Sequence, residues 1–115
     1  PLLPNRPTIS QDLEAALAST SRALMKPWAP GMNNYSLCHG AAGNAELMIL
    51  AGQYLQRPEL SAVAEKVGQD GYDFYVKQGL PGAGESPNLM LGMAGIGHFY
   101  LRLYDPLQVA SVLSI

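Results

Sequence analysis

The chain has 115 residues, a length that suits one domain or part of one. Its net charge is −2, from seven basic and nine acidic residues, and without a basic patch a nucleic-acid partner has little support. No run reaches the roughly 18 apolar residues of a membrane span, and no signal peptide opens the chain. Charged residues make up only 14%, which fits either a compact helical core or apolar surface that belongs against a partner.

The first predicted element follows a Pro-rich lead-in over residues 1–9, which is expected to be extended. Apolar residues at helical spacing predict a helix from residue 10 to about residue 25. Thr8 and Gln11 are spaced as in a capping box at its start. Prolines and a glycine then predict a loop over residues 27–37.

Two helices are predicted in the middle of the chain. The first runs from about residue 40 to residue 55, and its buried side is expected to consist of Leu47, Leu50, Ala51, Tyr54 and Leu55. The second begins at Pro58, since proline suits the first turn of a helix, and continues to about Lys77.

A fourth helix is predicted after a glycine-rich loop at residues 79–84. Ser86 and Pro87 are typical of an N-cap followed by proline at the first helical position, and Asp105 follows the expected last residue, Tyr104. The apolar tail at 109–115 is expected to pack back on the body. No segment alternates at period two for long enough to predict a strand, so the fold class is all-α.

A short repeat links the second and fourth helices. Gly-Ala-Ala-Gly at residues 40–43 matches Gly-Met-Ala-Gly at residues 92–95, 52 residues later. Glycine within a helix costs ~0.5–1 kcal/mol relative to alanine, so close approach of another backbone is the expected offset. The match favours repeated helical hairpins, as in a ring or solenoid, although a chain with 12 glycines also allows a chance match.

The two copies of the repeat differ in the residues just before the first glycine. Cys38 and His39 stand in one copy, and Met90 and Leu91 stand in the other. Thiolate and imidazole are the usual protein ligands of zinc. Neighbouring side chains diverge by about 100° along a helix, so they converge on one ion only where a loop enters the helix. The pair is therefore a candidate metal site; the competing hypothesis is that the lone cysteine is a small buried hydrophobe.

Two ligands do not complete such a site, since catalytic zinc usually has three protein ligands and one open position. His98 lies inside the fourth predicted helix without helping neighbours, and we expect it to be a packing or surface residue. At least one ligand is therefore expected outside this chain.

Two motifs resemble the lanthionine synthetase C-like cyclase family, especially the C-terminal cyclase domain of class II lanthipeptide synthetases. The first is Ser-Leu-Cys-His-Gly-Ala-Ala-Gly-Asn at residues 36–44. The second is Pro-Asn-Leu-Met-Leu-Gly-Met-Ala-Gly-Ile-Gly at residues 87–97, continuing to residue 113. The motifs stand in the order that the family shows.

The resemblance implies an α/α toroid of helical hairpins, of which residues 1–115 would be about the last third, a C-terminal segment of the cyclase domain. It implies Zn²⁺ held by two cysteines and one histidine. Cys38 and His39 match two of these ligands, and the third, a cysteine in a Trp-Cys motif, is expected upstream of Pro1. No catalytic residue beyond the metal ligands is assigned.

The resemblance also implies a function: addition of peptide cysteine thiolates to dehydroalanine or dehydrobutyrine, which forms thioether rings. The expected partners are a dehydrated precursor peptide with its leader and the remainder of the synthetase chain, in a bacterial cytoplasm. We expect the isolated chain to be inactive and to self-associate through an exposed seam of the toroid. Two alternatives stay open: a non-catalytic helical repeat module with an idle Cys38 and His39, and a relative that binds glutathione-like thiols.

Overall fold

The structure, a computed structural model, describes residues 6–26, 35–38, 40–78, 88–90 and 92–112. The helices in these ranges are α1 (Arg6–Leu24), α2 (Ala41–Leu55), α3 (Pro58–Gln78) and α4 (Met93–Tyr104). The described residues contain no strand, which confirms the all-α prediction. None of the described helices combines the length and the apolar character needed to cross a membrane. The toroid stays a prediction.

The bounds of α2 and α3 agree with prediction to within one residue, whereas α1 starts earlier than expected. It begins at Arg6, so the predicted extended lead-in is wrong for residues 6–9 and Thr8 lies inside the helix rather than at a capping box. The physical reason is that a proline in the first turn needs no partner for its missing N–H, so Pro7 does not interrupt the helix.

The start of α4 was also predicted wrongly. The helix begins at Met93 with Gly92 as its N-cap, in extended backbone at φ −132° and ψ −157°. Residues 88–90 lie before it in a turn, and the predicted N-cap pair at residues 86 and 87 lies outside the described residues. The end of α4 at Tyr104, with Asp105 as the C-cap, confirms the prediction.

Small residues bring α2 and α3 together as a hairpin. Only Gln56 and Arg57 separate the two helices, and Gln56 closes α2 in the left-handed region at φ 53°. At Gly52 a Cβ atom would lie 3.1 Å from the Ser61 nitrogen and 3.3 Å from the Arg57 oxygen, so the helices approach closely at this point.

The buried side of α2 therefore differs from the predicted one. Leu47 and Leu55 are each 39% exposed and Tyr54 is 81% exposed, whereas Ala51 is buried as predicted. The residues of α2 that are buried are Ala42, Ala45, Glu46, Met48, Ile49, Ala51 and Gly52. The helix is apolar on several sides, and its small side chains decide which side faces its neighbours, because they allow the closest packing.

The last helix and the segment after it complete the described core. The Tyr100 hydroxyl of α4 donates to the Gly68 oxygen of α3 at 2.8 Å. Burial, as the largest cause, raises the pKa of Tyr100 to about 12, so this donor keeps its proton near neutral pH. Val112 packs against the core and Ser111 is buried, which confirms that the tail folds back as far as residue 112.

The sequence repeat is also a structural repeat. Gly40 and Gly92 are N-caps in extended backbone, and their N–H groups donate to the oxygens four residues earlier, at 3.0 and 2.9 Å. The expectation that these first glycines lie inside helices was wrong. The second glycines, Gly43 and Gly95, lie in the first turn, and a Cβ atom on either would overlap a backbone carbonyl oxygen, that of Leu37 or Leu89 respectively. The close backbone approach expected from the sequence is thus confirmed.

We expect Gly43→Ala to lower the free energy of unfolding by ~1–3 kcal/mol, because the new methyl group collides with the Leu37 carbonyl and the backbone must shift. The matched control is Gly97→Ala in α4, where nothing lies within 4 Å of the added Cβ atom. It should raise the stability by roughly 0.5–1 kcal/mol through helix propensity alone. Urea unfolding followed by circular dichroism measures both, and equal stability of the two variants would contradict the contact.

Candidate functional site

The loop that carries Cys38 is anchored by a buried tyrosine. Tyr35 is 1% exposed, and its hydroxyl donates to the Val67 oxygen of α3 at 2.5 Å. Its ring meets the ring of Tyr75 edge-on, with centroids 5.5 Å apart. A Cβ atom at Gly71 would lie only 2.7 Å from Cε1 of Tyr35, so α3 needs a glycine here to admit the ring.

The same loop caps the start of α2 with its own backbone. The Ser36 oxygen accepts hydrogen bonds from the N–H groups of Gly40, at 3.0 Å, and Gly43, at 3.4 Å. The N-cap makes no side-chain hydrogen bond, so the preceding loop satisfies donors that a helix start leaves open. Leu37 is 4% exposed, and its side chain anchors the loop in the hydrophobic core.

Cys38 stands at the surface of this anchored loop, two residues before the N-cap. Its thiol is exposed, while its N–H group donates to the Met90 oxygen at 2.9 Å. The hypothesis that Cys38 is a buried small hydrophobe is therefore wrong. The other predicted metal ligand, His39, lies outside the described residues.

The described surroundings of Cys38 fit a sulfur ligand for a metal such as zinc. The residue is exposed, its backbone N–H is held by a hydrogen bond, and a thiolate is one of the usual protein ligands of zinc. Among the described residues, no three His, Cys, Asp or Glu side chains gather into a group that could hold a metal ion. The assignment of Cys38 and His39 as ligands stays a prediction.

The equivalent segment of the other repeat forms the surface beside Cys38. Leu89 and Met90 are 44% and 39% exposed, and the N–H group of Met90 donates to the Asn88 side chain at 2.8 Å. Because the Met90 carbonyl holds the backbone of Cys38, the loops before α2 and α4 are direct neighbours. The backbone of Cys38 therefore lies against a turn that carries two exposed apolar residues.

A buried ion pair, which sequence reasoning missed, joins the two repeats behind this loop. Arg102 of α4 donates to Glu46 of α2 at 2.8 Å, and the two side chains are 2% and 0% exposed. Arg102 also donates to the backbone oxygens of Pro106 and Val109, at 2.6 and 2.7 Å. A single guanidinium thus holds α2, α4 and the C-terminal segment together.

The second carboxylate oxygen of Glu46, Oε2, is buried and has no hydrogen-bond partner among the described residues. The sequence did carry a local signal for this burial. Glu46 lies four residues after Ala42 and three before Ile49, so it falls within a small and apolar helix face. The identity of its partner, 56 residues away, had no such signal.

His98 takes the packing role expected of it. Its Nε2 atom donates to the Ala110 oxygen at 3.0 Å and so ties α4 to the C-terminal segment. Its Nδ1 atom is buried without a hydrogen-bond partner in the described part of the chain.

A sequence model of the family described as lanthionine synthetase C-like protein matches residues 4–114, almost the whole chain. No curated protein and no solved structure gives a significant match.

We expect Arg102→Met to lower the free energy of unfolding by ~3–5 kcal/mol, because it leaves the Glu46 carboxylate buried without its cation. The double variant Glu46→Met with Arg102→Met should lose less than Arg102→Met alone, since no charge is then stranded. Arg57→Met is the control: its ion pair with Glu14 is exposed, and its removal should change stability little. Urea titrations of the variants measure these differences, and additive losses in the double variant would contradict the coupling.

Proposed function

The chain belongs to the lanthionine synthetase C-like family, and on that premise we propose that it is the metal-bearing segment of a zinc-dependent lanthipeptide cyclase. The proposed reaction adds a cysteine thiolate of a peptide to a dehydroalanine or dehydrobutyrine of the same peptide. The observation that supports this most directly is the exposed thiol of Cys38 on a rigidly anchored loop.

Cys38 and His39 are the proposed protein ligands in this chain, with a further cysteine expected upstream of Pro1. When bound, zinc supplies a Lewis acid that holds a peptide thiol as its thiolate near neutral pH. The role of this chain is to orient the ligands. Tyr35 and Leu37 fix the loop in the core, and the hydrogen bond to Met90 fixes the Cys38 backbone. Pre-organised ligands of this kind lower the cost of ordering the site when substrate arrives.

The proposed reaction balances without an oxidant or a reductant. The peptide thiol loses its proton, its sulfur forms a new bond to the β-carbon of the dehydroamino acid as the π bond between the α- and β-carbons breaks, and the α-carbon gains a proton. No group leaves. Exposed Leu89 and Met90, beside Cys38, supply an apolar surface on which the reacting segment of the peptide can lie with part of its water removed.

The proposed substrate is a dehydrated precursor peptide that carries its leader, and the proposed working unit includes the remainder of a synthetase chain in the bacterial cytoplasm. The family membership supports a peptide substrate. The low share of charged residues in the chain, 14%, suits a dehydrated peptide, because dehydration converts serine and threonine hydroxyls into apolar alkenes.

Cys38→Ala in the complete synthetase should abolish zinc binding and ring formation while the helical content is kept, because Cys38 is exposed and lies outside the four described helices. Metal content by elemental mass spectrometry and uncyclised thiols by alkylation and peptide mass spectrometry measure the two effects. Met90→Ala is the matched control, since Met90 occupies the equivalent place in the other repeat and is similarly exposed. It should keep the zinc.

Unchanged ring formation by Cys38→Ala would rule out a catalytic role for the metal site that includes Cys38. Loss of zinc without loss of ring formation would leave the metal with a structural role only. If neither the unchanged protein nor either variant bound zinc or formed rings, the non-catalytic helical repeat would be the better description. Addition of the thiol of free glutathione to the dehydroamino acid, in place of the thiol of the peptide, would favour the glutathione-binding alternative.

A further inference from the structure

Met90 is held at both of its backbone polar groups. Its N–H group donates to Oδ1 of Asn88 at 2.8 Å, and its carbonyl oxygen accepts from the N–H group of Cys38 at 2.9 Å. The Met90 side chain takes no part in either bond and is 39% exposed. The backbone of Met90 therefore links the Asn88 side chain to the Cys38 backbone.

The turn that contains Asn88 is itself fixed to the start of α4. The backbone oxygen of Asn88 accepts from the N–H group of Gly92, the N-cap of α4, at 2.9 Å. The Leu89 oxygen lies so close to Gly95 that a Cβ atom there would overlap it. The same Cβ atom would lie 3.1 Å from Cγ of Leu37, so the start of α4 also touches the loop before α2. That loop therefore takes its position from α4 as well as from α2.

The two repeats use equivalent N–H groups differently. Residues 36 and 88 are equivalent, and the backbone oxygen of each accepts from the N-cap glycine four residues later. Two residues after them stand Cys38 and Met90. The Met90 N–H group is bound within its own turn by Asn88, whereas the Cys38 N–H group donates to the other repeat. The second repeat thus orders its own turn, and the first repeat uses that turn to support residue 38.

Asparagine is well suited to order this turn. An Asn or Asp side chain accepts a hydrogen bond from the N–H group two residues ahead, and this Asx turn restricts the backbone between them. Aspartate keeps the acceptor oxygen, and alanine lacks it. Asn88 is exposed, so its replacement leaves no cavity in the core.

We propose that Asn88 is a positioning residue for Cys38. Its side chain holds the Met90 backbone, and the Met90 carbonyl holds the Cys38 backbone at the place where the thiol serves as a metal ligand. The role of the thiol rests on the proposed function, whereas the restraint on its backbone belongs to the metal-free chain. A ligand that is already ordered costs less to fix when the metal binds, so loss of the restraint weakens metal binding without removing a ligand.

Hydrogen exchange of single amides, followed by NMR in the metal-free 115-residue protein, tests the restraint. In Asn88→Ala the Cys38 amide should exchange about three- to tenfold faster, because the hydrogen bond that orders its acceptor is lost. The amide of Ile49, in the buried part of α2, should exchange at its original rate. Asn88→Asp keeps the acceptor oxygen and should restore slow exchange at Cys38.

The matched control is Gln69→Ala on α3. Gln69 is also an exposed amide side chain, and it donates one hydrogen bond, to Asp73 at 2.9 Å. Its removal should leave the exchange of the Cys38 amide unchanged. Circular dichroism checks that each variant is folded.

The zinc affinity of the complete synthetase, measured by competition with a chromophoric chelator, tests the consequence for the metal site. Asn88→Ala should bind zinc about three- to tenfold more weakly, because the loop must then be ordered at the expense of binding. Asn88→Asp and Gln69→Ala should bind zinc as the unchanged synthetase does.

Equal exchange of the Cys38 amide in Asn88→Ala and in the unchanged chain would overturn the proposal, as would a failure of Asn88→Asp to restore it. A parallel rise at Ile49 would also overturn it, since the loss of stability would then be general. Faster exchange at Cys38 with unchanged zinc affinity would overturn the positioning role. An unchanged synthetase without zinc would instead contradict the proposed function, and the exchange rates would still decide whether Asn88 holds Cys38.

Discussion

The structure depends on a contact that leaves no room for a methyl group. In each repeat the carbonyl oxygen of a leucine lies against the glycine six residues later, in the first turn of the next helix. A backbone oxygen cannot swing aside as the end of a side chain can, so glycine at these positions fixes the path of the whole loop. That path carries the N–H group of Cys38 to the Met90 oxygen and leaves the thiol outside. The placement of the candidate ligand thus follows from the absence of a side chain at Gly43.

The close contacts of small residues do not fix a single register between α2 and α4. The buried ion pair of Glu46 and Arg102 does. Small faces pack acceptably at several offsets. A shift of α4 by one residue would turn Arg102 through about 100° and leave the Glu46 carboxylate buried and unpaired. The bonds from Arg102 to Pro106 and Val109 extend this register to the C-terminal segment. The ion pair therefore couples the two repeats whose loops meet at Cys38.

Much of the fold was predictable, because the spacing of apolar residues along a helix and the prolines and glycines at its ends are local signals. Pro58 and the apolar spacing after it gave the bounds of α3, and the glycine pattern gave the repeat. The buried side of α2 was not predictable from the size of its apolar side chains, since Leu47 and Tyr54 are larger than the alanines that are buried. There, the closeness of approach outweighs the size of the apolar side chain. The pairing of Glu46 with Arg102 joins residues that no local pattern relates. At the candidate site the exposure of Cys38 is described, whereas its role with His39 rests on the family resemblance.

The two repeats share the same N-cap arrangement, yet the exposed residues that precede it differ in chemistry. Cys38 and Met90 occupy equivalent positions, two residues before an N-cap glycine, and both are exposed. Folding therefore makes no demand for cysteine at residue 38, because the same backbone accepts methionine in the other copy. An exposed thiol also adds little burial free energy and is open to oxidation. The exposure of Cys38 is therefore a property of the loop backbone that both repeats share, and the choice of cysteine at this position is the feature in which the two copies differ.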